Sequence, residues 1–317
     1  MTFRGFWFRG FVFAWLMGCG SISTAYAQQT HVLVVSGFPG DEEHAKKFQE
    51  WVKTFVDTAK KKEQIPDANV TVLADRNATK ANVEKAFADL AARAKSNDGI
   101  FVLLIGHGSF DGRVAAFNVM GPDLVAEDFA RLLGKFPTQR ITFVNTTASS
   151  GAFLKPLAAP GRVIITATKT GGERNDTDFP GYFVAAFGDD TADRDRNGHV
   201  SVAEAFEYAK NKVDQAFKQK GLLLTEHATL DDSGEGRFAS MVHLGSGTSA
   251  TALQVDTNDP AMKKLVDERD ALERQIAELR LKKPTMAEEA YDAEMEKLLT
   301  QMALKTKEIR DLQAKKK

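Results

Sequence analysis

Two hydrophobic periods alternate along this chain. Short apolar runs recur at His31 to Ser36, Asn69 to Ala74, Ile100 to Ile105, Arg140 to Asn145 and Arg162 to Ala167. Ile100 to Ile105 is unbroken by any polar residue, as in parallel strands covered on both faces. Between these runs the period changes to that of a helix. Asp41 to Lys60 carries Ala45, Phe48, Trp51, Val52 and Phe55 on one face. Ala78 to Lys95 forms the next helical segment, with Thr79 placed as its N-cap, and Asp123 to Leu133 another. This β-α rhythm predicts an α/β fold of three layers around a mostly parallel sheet.

The pattern changes after Gly245. Gly245 to Ala250 is built of Gly, Ser, Thr and Ala, the composition of a flexible linker. From Asp259 the chain is charge-dense, with Leu265, Leu272, Ile276 and Leu279 at helical spacing. Lys282-Lys283-Pro284-Thr285 interrupts it, and Tyr291, Met295, Leu298, Met302, Ile309 and Leu312 resume the stripe. Residues 28–244 are therefore expected to form the α/β domain, 245–258 a linker and 259–317 a helical hairpin. That hairpin either packs on itself or the main domain, or pairs between chains as a coiled coil and makes a homo-oligomer.

Residues 1–27 have the layout of a secretory signal. Arg4 and Arg9 flank an apolar stretch from Phe11 to Met17, and Ala25-Tyr26-Ala27 is a small-x-small cleavage site. Leu16-Met17-Gly18-Cys19 offers a competing route, a lipoprotein box that would leave a lipid anchor on Cys19. Either route exports the body of the chain to a periplasmic or extracellular location. No later run is long enough to span a bilayer. The 42 basic and 43 acidic residues nearly cancel, so no nucleic-acid-binding surface is indicated. Cys19 is the sole cysteine, so an exported body must hold together without disulfides.

One loop carries a metal-ligand spacing. In Asp193-Arg194-Asp195-Arg196-Asn197-Gly198-His199-Val200-Ser201-Val202-Ala203-Glu204, oxygen donors occupy the first, third and fifth places as Asp193, Asp195 and Asn197. Gly198 allows the sharp turn, the His199 carbonyl fills the seventh place and Ser201 the ninth, and Glu204 closes the loop bidentately. This is the calcium loop of an EF-hand, with Val200 set to pin it to a neighbour and Ala203 to Phe217 as the exiting helix. Only one such loop is visible, which predicts a structural Ca2+ clamp rather than a paired sensor. The alternative is a charged surface turn. Leu230 to Gly236 is also acidic and glycine-rich, but reads as a solvated turn.

Two strand ends carry the remaining chemistry. Leu104-Ile105-Gly106-His107-Gly108-Ser109 and Val144-Asn145-Thr146-Thr147-Ala148-Ser149-Ser150-Gly151 each pass from an apolar run into a turn of small residues. Open α/β sheets build their sites at such carboxyl ends. A strand-end imidazole beside a second turn is also how a Cys–His hydrolase activates a thiolate. Over about His31 to Gly236 these motifs, with Ile164-Ile165-Thr166-Ala167-Thr168-Lys169 as the neighbouring strand, resemble the caspase-like fold of the legumain group, peptidase family C13 of clan CD.

The resemblance implies His107 as catalytic base and the Gly108 N–H as part of an oxyanion hole. Aligned on Ser150-Gly151, the family's Ala-Cys-x-Ser-Gly motif puts Thr147 at the alanine and Ala148 at the nucleophile, a vestigial position with no ionisable group. The family's basic Arg-His pair is not evident either, because Phe38-Pro39-Gly40-Asp41-Glu42-Glu43 follows the first strand. Three readings follow. In the first, the domain is a pseudopeptidase, stabilised by calcium, that binds or scaffolds a protein or peptide ligand. In the second, Ser149 or Thr147 replaces the thiol as nucleophile on His107, with Asp111 the one visible orienting carboxylate. In the third, the chain is structural and acts through its C-terminal helices, with His107 a hydrogen-bonded strand-end residue. Asn145, Thr146, Ser149 and Lys169 are the expected lining of any pocket.

Overall fold

Alternate residues of the central strands go to opposite faces, and each face finds its own helices. The fold is seen in a computed structural model that describes residues 29–138, 140–194, 198–233, 238–245, 259–282 and 286–314. The expected leader with Cys19, nearly all of the linker, and Asp195 and Asn197 of the calcium loop lie outside the described residues.

The chain is α/β, with a six-stranded, mostly parallel sheet. Its strands are β1 (Thr30–Ser36), β2 (Val70–Leu73), β3 (Gly99–Ile105), β7 (Ile141–Asn145), β8 (Arg162–Thr166) and β9 (Thr229–Asp231), the numbers β4 to β6 belonging to the smaller sheet described below. They lie side by side in the order β2-β1-β3-β7-β8-β9. β2, β1, β3, β7 and β8 run parallel in register, for example Leu33 beside Val102 and Phe101 beside Thr142. Only β9 runs antiparallel, closing one edge against β8. The helices are α1 (Glu42–Lys61), α2 (Lys80–Arg93), α3 (Ala126–Leu133), α4 (Leu154–Leu157), α5 (Phe179–Ala186), α6 (Val202–Gln219), α7 (Pro260–Lys282) and α8 (Glu288–Ala314).

Val32, Val34, Phe101, Leu103, Val163 and Ile165 pack against Phe48 and Phe55 of α1, Phe179 and Phe183 of α5, and Val202 and Phe206 of α6. Leu33, Val35, Val102, Leu104, Phe143 and Ile164 pack instead against Phe87 and Leu90 of α2, Phe129 and Leu132 of α3, and Leu157 of α4. The two-residue period of an extended chain therefore builds two cores from one set of strands.

Several elements depart from the periodic expectation. The segment from Asp123 to Leu133 is not helical throughout: Leu124–Val125 form the short strand β6, and the helix begins at Ala126. Asp123 is diverted because its carboxylate accepts from Asn118 Nδ2 at 2.8 Å and Val119 N at 3.1 Å. β6 joins β4 (Gly108–Phe110) and β5 (Ala115–Phe117) in a small antiparallel sheet directly after His107. α5 shows no amphipathic period because Phe179, Pro180, Phe183, Val184 and Ala186 are all buried. Leu230 to Gly236 is not simply a solvated turn. Leu230 and Asp231 belong to β9, and Asp232 is buried, accepting from Phe238 N at 2.7 Å and Ala239 N at 2.9 Å.

α7 and α8 bury their apolar stripes on each other. Met262 and Val266 share a cluster with Ile309, while Ile276 and Leu279 share one with Tyr291 and Leu298. Among the described residues, no helix is long and apolar enough to cross a membrane.

Candidate functional site

The strand order reverses between β1 and β3. From β1 the chain moves outward to β2, then crosses back so that β3 and β7 extend the sheet on the other side. Such a switch point splays the loops leaving the two carboxyl ends and opens a crevice between them. The loop after β1 brings Pro39, Asp41 and the first turn of α1 to this place, and the loop after β3 brings His107.

Asp41 is the N-cap of α1 and accepts from His44 N at 2.9 Å. Its second oxygen accepts from His44 Nδ1 at 2.5 Å. His44 Nε2 lies 3.3 Å from Asp176 Oδ2, on the loop that follows β8. His107 Nε2 donates to the Pro39 carbonyl at 3.0 Å, and its Nδ1 faces Asp176 Oδ1 at 3.2 Å. The two imidazole rings are 4.6 Å apart, edge to face, and Phe48 closes the back of the pair at 5.3 Å from His107. The hydrogen bond to Asp41, then the charges of Asp41 and Asp176, hold His44 above the usual imidazole range, against an opposing effect of its partial burial. The backbone N–H and the ring of His44 in turn hold the Asp41 carboxyl below its usual range.

The second turn reaches the same place from β7. Gly108 approaches it so closely that a Cβ there would lie 2.1 Å from the Ala148 carbonyl oxygen and 2.5 Å from Thr147 Oγ1. The two strand-end motifs are thus in contact, and only glycine fits between them. Within the turn, Thr146 Oγ1 donates to the Leu104 carbonyl at 2.7 Å and Thr147 Oγ1 to Asn145 Oδ1 at 2.8 Å. Ala148 is buried. Ser149 adopts a left-handed backbone (φ 59°), an unfavourable conformation for a residue with a side chain. Its N–H donates to the Glu173 carbonyl at 2.7 Å, and its buried Oγ finds no hydrogen-bond partner among the described residues. Gly151 passes so close to Lys169 that a Cβ would meet its carbonyl carbon at 2.2 Å, which seats the turn on the loop after β8.

His107, Gly108, Ala148 and Ser149 are therefore brought into one neighbourhood, but the hydroxyls do not engage the imidazole. Both His107 nitrogens face oxygens elsewhere, and Thr147 is committed to Asn145. Asp111 is not the orienting carboxylate: it folds back to accept from Arg113 N and Val114 N, each at 2.7 Å. The carboxylate that faces His107 is that of Asp176, which the sequence did not single out because it sits in an irregular loop without periodicity. His44 was equally unmarked, although its spacing after the N-cap Asp41 is the one trace it leaves. Lys169 is exposed, whereas Asn145, Thr146 and Ser149 are fully buried.

The loop after β8 is tied down at a second point. Glu173 accepts from Lys169 N and His227 N, both at 3.0 Å, and from His227 Nδ1 at 2.9 Å. Next to His227, Glu226 is buried and accepts from Asp178 N at 2.8 Å and Phe179 N at 3.2 Å, at the start of α5. Burial pushes its carboxyl up to about 7, despite these two favourable N–H bonds.

At the loop before α6, Asp193 Oδ2 accepts from Gly198 N at 2.8 Å, and Gly198 takes the positive φ of 91° expected of the turn residue. Glu204 Oε1 accepts from Arg194 N at 2.9 Å, and its Oε2 from Ser201 N and Ser201 Oγ at 2.8 Å each, completing a capping box. Val200 is buried, and Ser201 pairs with His243, which sets the His199 ring 5.7 Å from the His243 ring. Asp193, His199, Ser201 and Glu204 are thus gathered at one loop.

No family model matches this chain, and no curated protein matches it. Among solved structures, the crystal structure of protein GSU0716 from Geobacter sulfurreducens is similar over 64% of this chain and 92% of its own length, at 11% identity and a TM-score of 0.41.

Proposed function

We propose that this chain is an exported caspase-like domain that binds a protein or peptide ligand without cleaving it, a pseudopeptidase of the legumain type. The single observation that carries this reading is the chemistry beside Gly108: a buried alanine methyl occupies the turn, and both nitrogens of the neighbouring His107 are held by Pro39 and Asp176. A nucleophile needs an ionisable or base-activated group in hydrogen-bond reach of its base, and Ala148 has none. The six-stranded sheet with helices on both faces is the frame this fold requires. A structural Ca2+ held by Asp193, Asp195, Asn197, His199, Ser201 and Glu204 would brace the loop before α6. The C-terminal helices form a hairpin, available for self-association.

One observation favours the hydrolase alternative. Ser149 combines a left-handed backbone with a buried hydroxyl that has no partner among the described residues, and strained residues of that kind concentrate at functional sites. The two readings separate in one assay series. Purified protein should leave a panel of fluorogenic peptides intact, and Ala148→Cys should gain labelling by acyloxymethyl ketone probes that Ala148→Cys with His107→Ala lacks. Peptide turnover by the native protein that disappears in Ser149→Ala would overturn the non-catalytic reading.

A further inference from the structure

The loops at the switch point hold two imidazoles and a carboxylate whose donor atoms converge. His44, His107 and Asp176 come from three separate segments, and one ligating atom from each lies within 4.8 Å of the others. Outer hydrogen bonds on each ring leave its other nitrogen to face Asp176. Asp41 takes the Nδ1 proton of His44, which leaves Nε2 as its ligating atom, deprotonated when a metal binds. The Pro39 carbonyl takes the Nε2 proton of His107, which leaves Nδ1 as its ligating atom in the same way. Those two atoms are the ones that face Asp176, at 3.3 Å and 3.2 Å from its two oxygens. Metal-bound histidines almost always donate their other N–H to a carboxylate or a backbone carbonyl, and both kinds of outer partner are present here. A tetrahedral Zn2+ with bonds of about 2.0–2.1 Å keeps its donor atoms about 3.3 Å apart, close to the two nitrogen–oxygen separations of 3.3 Å and 3.2 Å.

We infer that His44 Nε2, His107 Nδ1 and the Asp176 carboxylate form a binding site for a divalent transition metal of the zinc type. Two imidazoles with one carboxylate suit Zn2+ in preference to Ca2+ or Mg2+, which take all-oxygen sets. The site is therefore chemically distinct from the loop at Asp193. Phe48 walls its inner side, and the outer side is open, since the Asp176 side chain is 66% exposed. Three protein ligands and an open face leave a coordination position for water or for a donor group of a bound partner. This inference stands apart from the peptidase-like reading, because it uses His107 as a ligand and makes no use of Ala148.

The test is calorimetric titration of the chelator-stripped full chain with Zn2+, paired with the visible spectrum of the Co2+ form. One tight site per chain is expected, with intense low-coordinate Co2+ bands. His44→Gln, His107→Gln and Asp176→Asn should each abolish the bands and weaken Zn2+ at least tenfold. Asp41→Asn, which replaces the outer carboxylate by a neutral amide, should weaken it about tenfold. His227→Gln serves as a control that retains full binding, and unchanged far-ultraviolet circular dichroism checks that each variant folds. Absence of binding to the native chain would overturn the inference. So would Zn2+ binding that persists in both His44→Gln and Asp176→Asn, or that is lost only with Asp193→Ala.

Discussion

Replacing Gly108 with alanine tests whether the His107 loop and the Ala148 turn really touch. Gly108 has an ordinary negative φ, so no backbone strain is added, and the whole effect is steric. The new methyl would sit 2.1 Å from the Ala148 carbonyl oxygen and 2.5 Å from Thr147 Oγ1, where ordinary contact begins at 3.4 Å. One strand-end loop must therefore move by more than an ångström. Neither side is a flexible side-chain tip. The carbonyl belongs to the buried turn, and Thr147 is bonded to Asn145 at 2.8 Å. Overpacking of this kind costs about 1–3 kcal/mol, and two rigid contacts put Gly108→Ala near the top, at about 3 kcal/mol. For a domain of this size that lowers Tm by about 6–12 °C.

Gly99→Ala is the matched control. Its Cβ would meet only Thr30 Oγ1 at 3.7 Å, and the loss of unfolded-state freedom should make it neutral or stabilising by up to about 1 kcal/mol. Urea denaturation followed by circular dichroism measures both. If Gly108→Ala lies within about 0.5 kcal/mol of the native protein, the two loops are not in contact and the site described above does not exist as a unit.

Two further outcomes can be checked. Glu226 has a folded pKa raised to about 7 from 4.5, so the unfolded chain loses its proton first as pH rises. Its stabilising contribution is complete below about pH 4.5 and is lost as pH climbs through about 7, a fall of about 3 kcal/mol across that window. Glu226→Gln should flatten the slope by that amount relative to the native chain, and equal slopes from pH-dependent urea melts would refute the assignment. For the loop before α6, calcium at about a hundredfold above its dissociation constant should add about 2.7 kcal/mol. Asp193→Ala and Glu204→Gln should lose this in thermal melts, the glutamine still able to accept from Ser201 in the capping box. A native melt that ignores calcium removes the site.

Much of the scaffold was legible from local rules. The apolar runs marked β1, β3, β7 and β8 because a strand buried on both faces is built mostly of apolar residues, and Thr79 announced the start of α2 because a hydroxyl there accepts from Asn82 N. His107, Gly108 and the Thr147-to-Ser149 turn were found the same way, as breaks in apolar runs at strand ends. What the chain alone left undecided was which side chains meet. Asp176 lies 69 residues from His107 and in no periodic segment, so its distance in sequence held no hint of their pairing. α5 was hidden because burial on all sides erases the amphipathic period, and the β4-β5-β6 sheet because its strands are only two or three residues long. Periodicity reports the side of an element that faces the core. The partners at a strand-end site depend on strand order: here the reversal between β1 and β3 sets the loops of His44 and His107 side by side, and the loop after β8 brings Asp176 to them.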